Sequence, residues 1–167
     1  MEPEELIEKA VEMGAEEGKV ISPENVYTAI WVRMKCRFGC GEFGTNLTCP
    51  PHSPPPERTR KMLDEFETAI LIHFPSEVQG IKDLMAELER EAFLSGFYKA
   101  FALGAGPCYL CEDCELEEGC IHPHRARPAM EACGIDVYKT VREAGFPIEV
   151  VKNRDCSQNY YGLLLLE

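Results

Sequence analysis

The stretch Thr68-Ala69-Ile70-Leu71-Ile72-His73-Phe74 is a nearly continuous apolar run that Pro75 closes. A run without polar alternation is typical of a strand that is covered on both faces. Segments with helical and with extended patterns alternate around it along the chain. The sequence therefore predicts an α/β or α+β fold, in which helices flank a central mixed β-sheet.

The flanking elements follow from periodicity and composition. Apolar residues at helical spacing predict helices over residues 3–17, 57–66 and 77–93, with Ser76 as the cap of the third. A fourth helix is expected after the capping residue Asp136, ending at residues 144–145. β-Branched and aromatic residues predict strands over residues 20–21, 27–34, 97–103, 147–152 and 160–166. Residues 97–103 have the alternative of continuing the helix before them.

Length, charge and cysteine content limit the class of protein. The chain has 167 residues, nine cysteines and a formal net charge of −12. We expect a single metal-binding domain over residues 1–167, with cysteine loops at about 35–51 and 106–134. The acidic N-terminus has no apolar run and no segment is long enough to span a bilayer, so we expect a cytoplasmic protein without a membrane partner. The negative charge argues against nucleic acid and favours a redox partner protein with basic patches, or a small molecule.

The second cysteine loop carries the strongest motif. Cys108, Cys111, Cys114 and Cys120 follow the spacing C-x2-C-x2-C-x5-C. Three closely spaced cysteines with a fourth behind them favour a 4Fe–4S cluster. The spacing departs from the bacterial ferredoxin run in its last gap, and the fourth cysteine of such a run serves another cluster in two-cluster ferredoxins. A structural zinc site is the alternative, since it also uses C-x2-C pairs.

The first cysteine loop has three candidate ligands, Cys36, Cys40 and Cys49, at the spacing C-x3-C-x8-C-P. A four-thiolate centre needs a fourth ligand, for which Cys133 is the natural candidate and His122 or His124 the competing ones. A buried free thiol is the other interpretation of Cys133. If the fourth position is open, the exposed iron can bind a substrate as a Lewis acid. The ninth cysteine, Cys156, lies outside both motifs and is expected to be structural.

These motifs together resemble a family of prokaryotic proteins that are known only as predicted metal-binding proteins and are common in anaerobes and methanogens. The resemblance runs from Trp31 to about Val150. It is carried by Cys36, Cys40, Gly44-Thr45-Asn46 and Cys49-Pro50-Pro51, by Gly106-Pro107-Cys108 with Cys111, Cys114 and Cys120, and by Ala126-Arg127-Pro128 and Met130-Glu131-Ala132-Cys133-Gly134-Ile135-Asp136-Val137. It implies metal binding by these cysteines in an anaerobic cytoplasm, and it implies no particular reaction.

Three functions are compatible with this pattern. The first is an iron–sulfur electron carrier or redox accessory subunit, with one or two 4Fe–4S clusters. The second is an enzyme whose first loop keeps an open iron for a small anionic substrate, held by one of four basic side chains: Arg33, Lys35, Arg37 or Arg125. The third is a zinc-stabilised interaction module without a redox role.

Overall fold

The predicted central strand lies inside a four-stranded sheet. The computed structural model describes residues 1–75 and 80–167, and within them the strands are β1 (Glu17–Ile21), β2 (Thr68–Phe74), β3 (Phe101–Leu103) and β4 (Tyr160–Leu166). Their order across the sheet is β1-β2-β4-β3. The predicted bounds of β2 and β4 are confirmed to the residue.

Five α-helices accompany the sheet in the described part of the chain: α1 (Pro3–Glu12), α2 (Ile30–Gly39), α3 (Pro56–Leu63), α4 (Ile81–Leu94) and α5 (Val137–Glu143). Two short 3-10 turns lie at Pro23–Asn25 and Glu131–Cys133. No helix among residues 1–75 and 80–167 combines the length and the apolar content that a bilayer crossing requires.

Both faces of the sheet are covered. Alternate residues of β2 point to opposite sides, so that Ile70 joins a core with α1 and α4 while Leu71 joins a core with α3 and α5. Both side chains are fully buried, and burial of a side chain of this size stabilises the fold by about 1.5–3 kcal/mol. The mixed helix-and-sheet class is therefore confirmed, with β2 covered on both faces as expected.

The sheet is antiparallel, and the expectation of a mixed sheet was wrong. Each neighbouring pair of strands runs antiparallel. The strands β2 and β3 do run in the same direction on either side of α4, but β4 lies between them and opposes both. A parallel pairing among the described residues occurs only as an isolated bridge between Gly104 and Ala129, beyond the end of β3.

Several predicted elements differ from the structure, among them the strand expected over residues 97–103, of which residues 101–103 form β3. Residues 27–34 were expected to form a strand, but α2 begins at Ile30, and the local extended pairing is one isolated bridge from Thr28 to Ile135. Residues 147–152 form no strand, and Ile148 alone of them is buried. The first helix ends at Glu12, before Gly14 adopts a positive φ of 115°. The predicted cap Ser76 and the predicted helix start at residue 77 lie outside the described residues.

Candidate metal centre

The first cysteine loop starts on α2. Cys36 lies in the last turns of that helix, and Cys40 follows its end. Cys49 is buried in the loop that returns toward α3, while Cys40 is exposed. Backbone and side-chain hydrogen bonds hold this loop: the Gly44 amide donates to the Pro50 carbonyl at 2.8 Å, and the Thr48 hydroxyl donates to the Asn46 side-chain oxygen at 2.7 Å. The loop therefore has a defined shape around Cys49.

The turn that carries Cys133 is tied to this loop. Arg33 of α2 donates to the Pro54 carbonyl at 2.6 Å and to the Ala132 carbonyl at 3.4 Å. The Ser53 hydroxyl donates to the same Ala132 carbonyl at 2.5 Å, and Thr59 donates to the Cys133 carbonyl at 2.6 Å. The Glu131–Cys133 turn is consequently fixed next to the first cysteine loop, although the two segments are far apart in sequence.

The three thiols of the first loop influence one another electrostatically. The pKa of the Cys36 thiol is raised, first by burial and then by the negative charge of Cys40, with smaller contributions from Cys49 and Glu131. Burial also raises the pKa of Cys49, and hydrogen bonds from Asn46 and Thr48 oppose that change. A metal that bound here would displace these thiol protons, and its positive charge would offset both causes of the raised pKa.

The second cysteine loop projects between β3 and α5, and its four-cysteine segment, residues 108–120, contains no helix or strand. Its base is fixed by an ion pair at 2.6 Å between Arg127 and Glu89 of α4, both largely buried, and by the Gly104 amide donating to Pro128 at 2.9 Å. Burial raises the pKa of the Cys111 thiol, and the neighbouring thiols add to that rise in the order Cys114, Cys108, Cys120. The four cysteines of this motif are thus neighbours in space.

The two cysteine loops face each other. A hollow of about 160 Å³, here called the inter-loop hollow, has Asn46 and Thr48 of the first loop on one side. The other side carries four cysteines of the second loop, namely Cys108, Cys111, Cys114 and Cys120. His122 also lines the inter-loop hollow, whereas His124 lies on the surface against α4. A separate hollow, which Cys36 and Cys40 line, includes neither histidine.

A lysine that sequence reasoning did not identify lies between the loops. Lys82, near the start of α4, has a buried Nζ without a hydrogen-bond partner among the described residues. Burial lowers the pKa of its ammonium, and the charges of Cys108 and Cys49, in that order, oppose the shift together with Glu131 and Cys133. Its stem lies against the backbone at Gly104, where an added Cβ would stand 2.8 Å from the lysine Cγ. One unpaired cation is therefore shared by cysteines of both loops.

Cys133 is placed differently from the other candidate ligands. Its side chain is 1% exposed and packs in the core beneath the sheet with Leu63 and Ile135. Burial raises the pKa of its thiol to about 12, against the effect of the nearby cations Arg33 and Lys82. Cys156 lies far from both motifs in the chain and donates its thiol to the Asn153 side chain at 3.4 Å.

The cysteines approach one another without forming a finished site. Across the described ranges, no three His, Cys, Asp or Glu side chains are close enough together to hold a metal ion. The thiols are nevertheless near enough for their charges to interact within each loop. Thiolate ligands repel one another until a cation binds, so final closure of such a site requires the metal.

The comparison with protein families agrees with these donors. Residues 19–166 match the model of the family described as "Predicted metal-binding protein (DUF2284)". The chain belongs to this predicted metal-binding family. The expected resemblance is thereby confirmed, and the match extends beyond the predicted span at both ends. None of the curated proteins and none of the solved structures matches the chain.

The family description and the donor set agree on metal binding and leave the metal open. Nine cysteines, seven of them in two loops that face one another, are a soft-ligand set that suits zinc or an iron–sulfur cluster. The sequence motifs located both loops. The role of Lys82 and the position of Glu131 had no sequence signal, because each depends on how α4 and the 3-10 turn pack against the loops.

Proposed function

We propose that this chain is an iron–sulfur protein of an anaerobic cytoplasm that holds two 4Fe–4S clusters and transfers electrons, alone or as a redox accessory subunit. One cluster would be held by the second loop through Cys108, Cys111, Cys114 and Cys120. The other would be held by Cys36, Cys40 and Cys49 with a fourth ligand, for which Cys133 was the sequence candidate. A cluster supplies one-electron oxidation and reduction at each centre.

The observation that carries the proposal is the ammonium of Lys82. A buried cation without a partner among the described residues is unfavourable, because it has lost its hydration. A thiolate-ligated iron–sulfur cluster is an anionic group, and a cation close to cysteines of both loops would offset the charge of two such centres. The residues present therefore fit the cofactor chemically, and the shared cation favours two neighbouring centres over two unrelated sites.

The surface around the second loop supports a redox partner with basic patches. Five acidic side chains of this loop are exposed: Glu112, Asp113, Glu115, Glu117 and Glu118. Together with the net charge of −12, they would steer a positively charged protein toward the loop. Such steering predicts that electron transfer slows as the salt concentration rises.

The test is the metal content of protein purified without oxygen. We expect roughly eight irons and as much acid-labile sulfide per chain, a broad brown absorbance, and a paramagnetic signal after reduction with dithionite. Stoichiometric zinc without iron would contradict the proposal and leave the zinc-stabilised interaction module. Substituting Cys111 and Cys114 together with alanine should remove about half of the iron, because only the second loop loses its ligands.

A second candidate function is supported by one feature of the first loop. A hollow of about 530 Å³, here called the α2 hollow, is lined by Cys36, Cys40 and Lys35. An iron with an open position there would face a space large enough for a small anionic substrate, with Lys35 as a cation on its wall. This enzymatic function requires that the first centre retain its metal with three protein ligands.

A further inference from the structure

The α2 hollow contains a carboxyl group beside the two thiols. It lies between α2, the Glu131–Cys133 turn, the start of α5 and the segment before β4. Its wall includes Cys36, Cys40 and Glu131, and Tyr138 and Tyr160 form part of the opposite side. Cys133 does not line it. The hollow therefore joins the incomplete cysteine set to a residue of a different chemical class.

Glu131 is directed into this hollow. The residue lines the α2 hollow, and desolvation there raises the pKa of its carboxyl group, against the opposing effects of a backbone hydrogen bond and of the Lys82 charge. Among the described residues no basic side chain forms an ion pair with it. Its charge acts on the Cys36 thiol, whereas Cys133 does not contribute to the pKa of Cys36.

The backbone holds Glu131 at this place. Within its turn, the Ala132 carbonyl accepts hydrogen bonds from Ser53 and Arg33, both of which belong to the first-loop framework. The next residue, Cys133, is turned the other way into the apolar core. For the Cys133 sulfur to reach the thiols of the first loop, this anchored turn would have to rotate and leave a void in the core. Glu131 already lines the α2 hollow with Cys36 and Cys40, so the turn can keep its anchoring hydrogen bonds.

We propose that Glu131, and not Cys133, supplies the fourth protein ligand of the metal held by Cys36, Cys40 and Cys49. A carboxylate oxygen is an accepted ligand of iron and of zinc, and it carries the same single negative charge as a thiolate. The assignment makes the first centre a three-thiolate, one-carboxylate site and leaves Cys133 as a structural thiol. It rests on the proposed function, because it requires a metal at the first loop. It also fills the coordination position that the second candidate function, the enzyme, would need for its substrate.

Three variants of the full chain, purified without oxygen, test the assignment. We expect Glu131→Gln to lose the metal of the first centre, roughly four irons per chain for a 4Fe–4S cluster, and to keep that of the second. Cys133→Ala should keep both centres. The matched control is Glu149→Gln, which removes another exposed carboxylate from the wall of the same α2 hollow and should also keep both.

A rescue variant separates ligation from a structural role. Glu131→Cys replaces one ligand by another, so it should restore the iron content with an altered paramagnetic spectrum, because an all-thiolate centre differs electronically from one with a carboxylate. A glutamate that only stabilised the turn would not be rescued in this way. The melting temperature of the metal-free variants checks that the chain still folds.

The outcomes also separate this inference from the proposed function. Wild-type protein with the expected iron, together with a Glu131→Gln variant of unchanged metal content, would overturn the carboxylate ligand and leave the iron–sulfur function standing. Loss of the first centre in Cys133→Ala but not in Glu131→Gln would overturn it in favour of the thiol. Wild-type protein without any bound metal would overturn both.

Discussion

Substituting Lys82 with methionine should have opposite effects on the metal-free and the metal-loaded protein. The Nζ of Lys82 is buried without a hydrogen-bond partner among the described residues. Methionine keeps an unbranched stem that can lie along Gly104 and removes the charge. Leaving a buried polar group unsatisfied costs about 1–3 kcal/mol, so we expect the metal-free variant to be more stable by about that amount.

In the metal-loaded protein the same change would remove the cation that we propose offsets the charge of the metal centres. Taking one partner from a buried charge pair typically costs about 3–5 kcal/mol, and partial exposure of the cysteines makes that value an upper limit here. We therefore expect the metal affinity of the Lys82→Met variant to fall by about tenfold or more. Lys82→Arg retains a cation and serves as the control, with a smaller loss of metal.

Two measurements test the opposite effects on the metal-free and the metal-loaded protein. Thermal unfolding of reduced, metal-free protein should show a rise of roughly 2–12 °C, at about 2–4 °C per kcal/mol for a chain of this size. Titration with a chelator should show the weaker metal binding. Because burial lowers the pKa of Lys82 in the folded state, the unfolded chain binds that proton more tightly, and the destabilising contribution of Lys82 shrinks as the pH rises to about 10.5.

The advantage of methionine should accordingly shrink as the pH approaches that value. A destabilised metal-free variant, or an effect of the same sign in both forms, would refute the reasoning.

Three further predictions concern the scaffold and its thiols. Gly134→Ala should destabilise the protein by about 2–4 kcal/mol in urea unfolding, because Gly134 has a φ of 77° and an added Cβ would collide with Pro56. In the metal-free protein, iodoacetamide should modify the exposed Cys40 and Cys120 first. Cys133 should react about a thousandfold more slowly at pH 8, because the pKa of its thiol is raised to about 12. Equal rates of modification would contradict the burial of Cys133. The contribution of Cys133 to stability should fall by up to about 1.4 kcal/mol per pH unit between about pH 9 and 12, because the unfolded thiol ionises while folded Cys133 remains protonated. The free energy of unfolding of the wild type, measured relative to Cys133→Ala, should therefore decline over this range.

The parts of the fold that sequence predicted were those where burial dominates. Strands β2 and β4 consist mostly of apolar side chains that are nearly all buried, so the apolar pattern in the sequence coincides with the bounds of each strand. The helix α5 also begins as predicted, directly after Asp136, whose side chain accepts a hydrogen bond from the Lys139 amide at 3.0 Å. A local capping signal is visible in sequence because it depends on residues only a few positions apart.

The element α2 was mispredicted because its apolar residues are not core residues. Ile30, Trp31, Met34 and Phe38 are all exposed, and Val32 is the buried residue of the helix. Strand propensity mainly reflects packing in a sheet, and this segment finds no sheet edge to join. Composition alone suggested a strand, although the spacing of the four exposed residues is helical.

The candidate site was predictable as two lists of cysteines and not as an arrangement. Spacing identifies thiols that are close in sequence, such as Cys108 and Cys111. It carries no information on Lys82, which reaches the loops from α4, or on whether Glu131 or Cys133 faces the first loop. Those relations depend on how α4 and the 3-10 turn pack, and they became visible only in the structure.

The position of β4 has a consequence for how the chain folds. It is the last of the four strands along the sequence, yet it fills the place between β2 and β3 and pairs with both. The sheet cannot be completed until this strand has been synthesised, and pairing between such distant segments is intrinsically slow. Both cysteine loops therefore leave the ribosome before their scaffold exists, and their thiols pass through a period of full exposure. The thiols of both loops therefore have to stay reduced until β4 has joined the sheet.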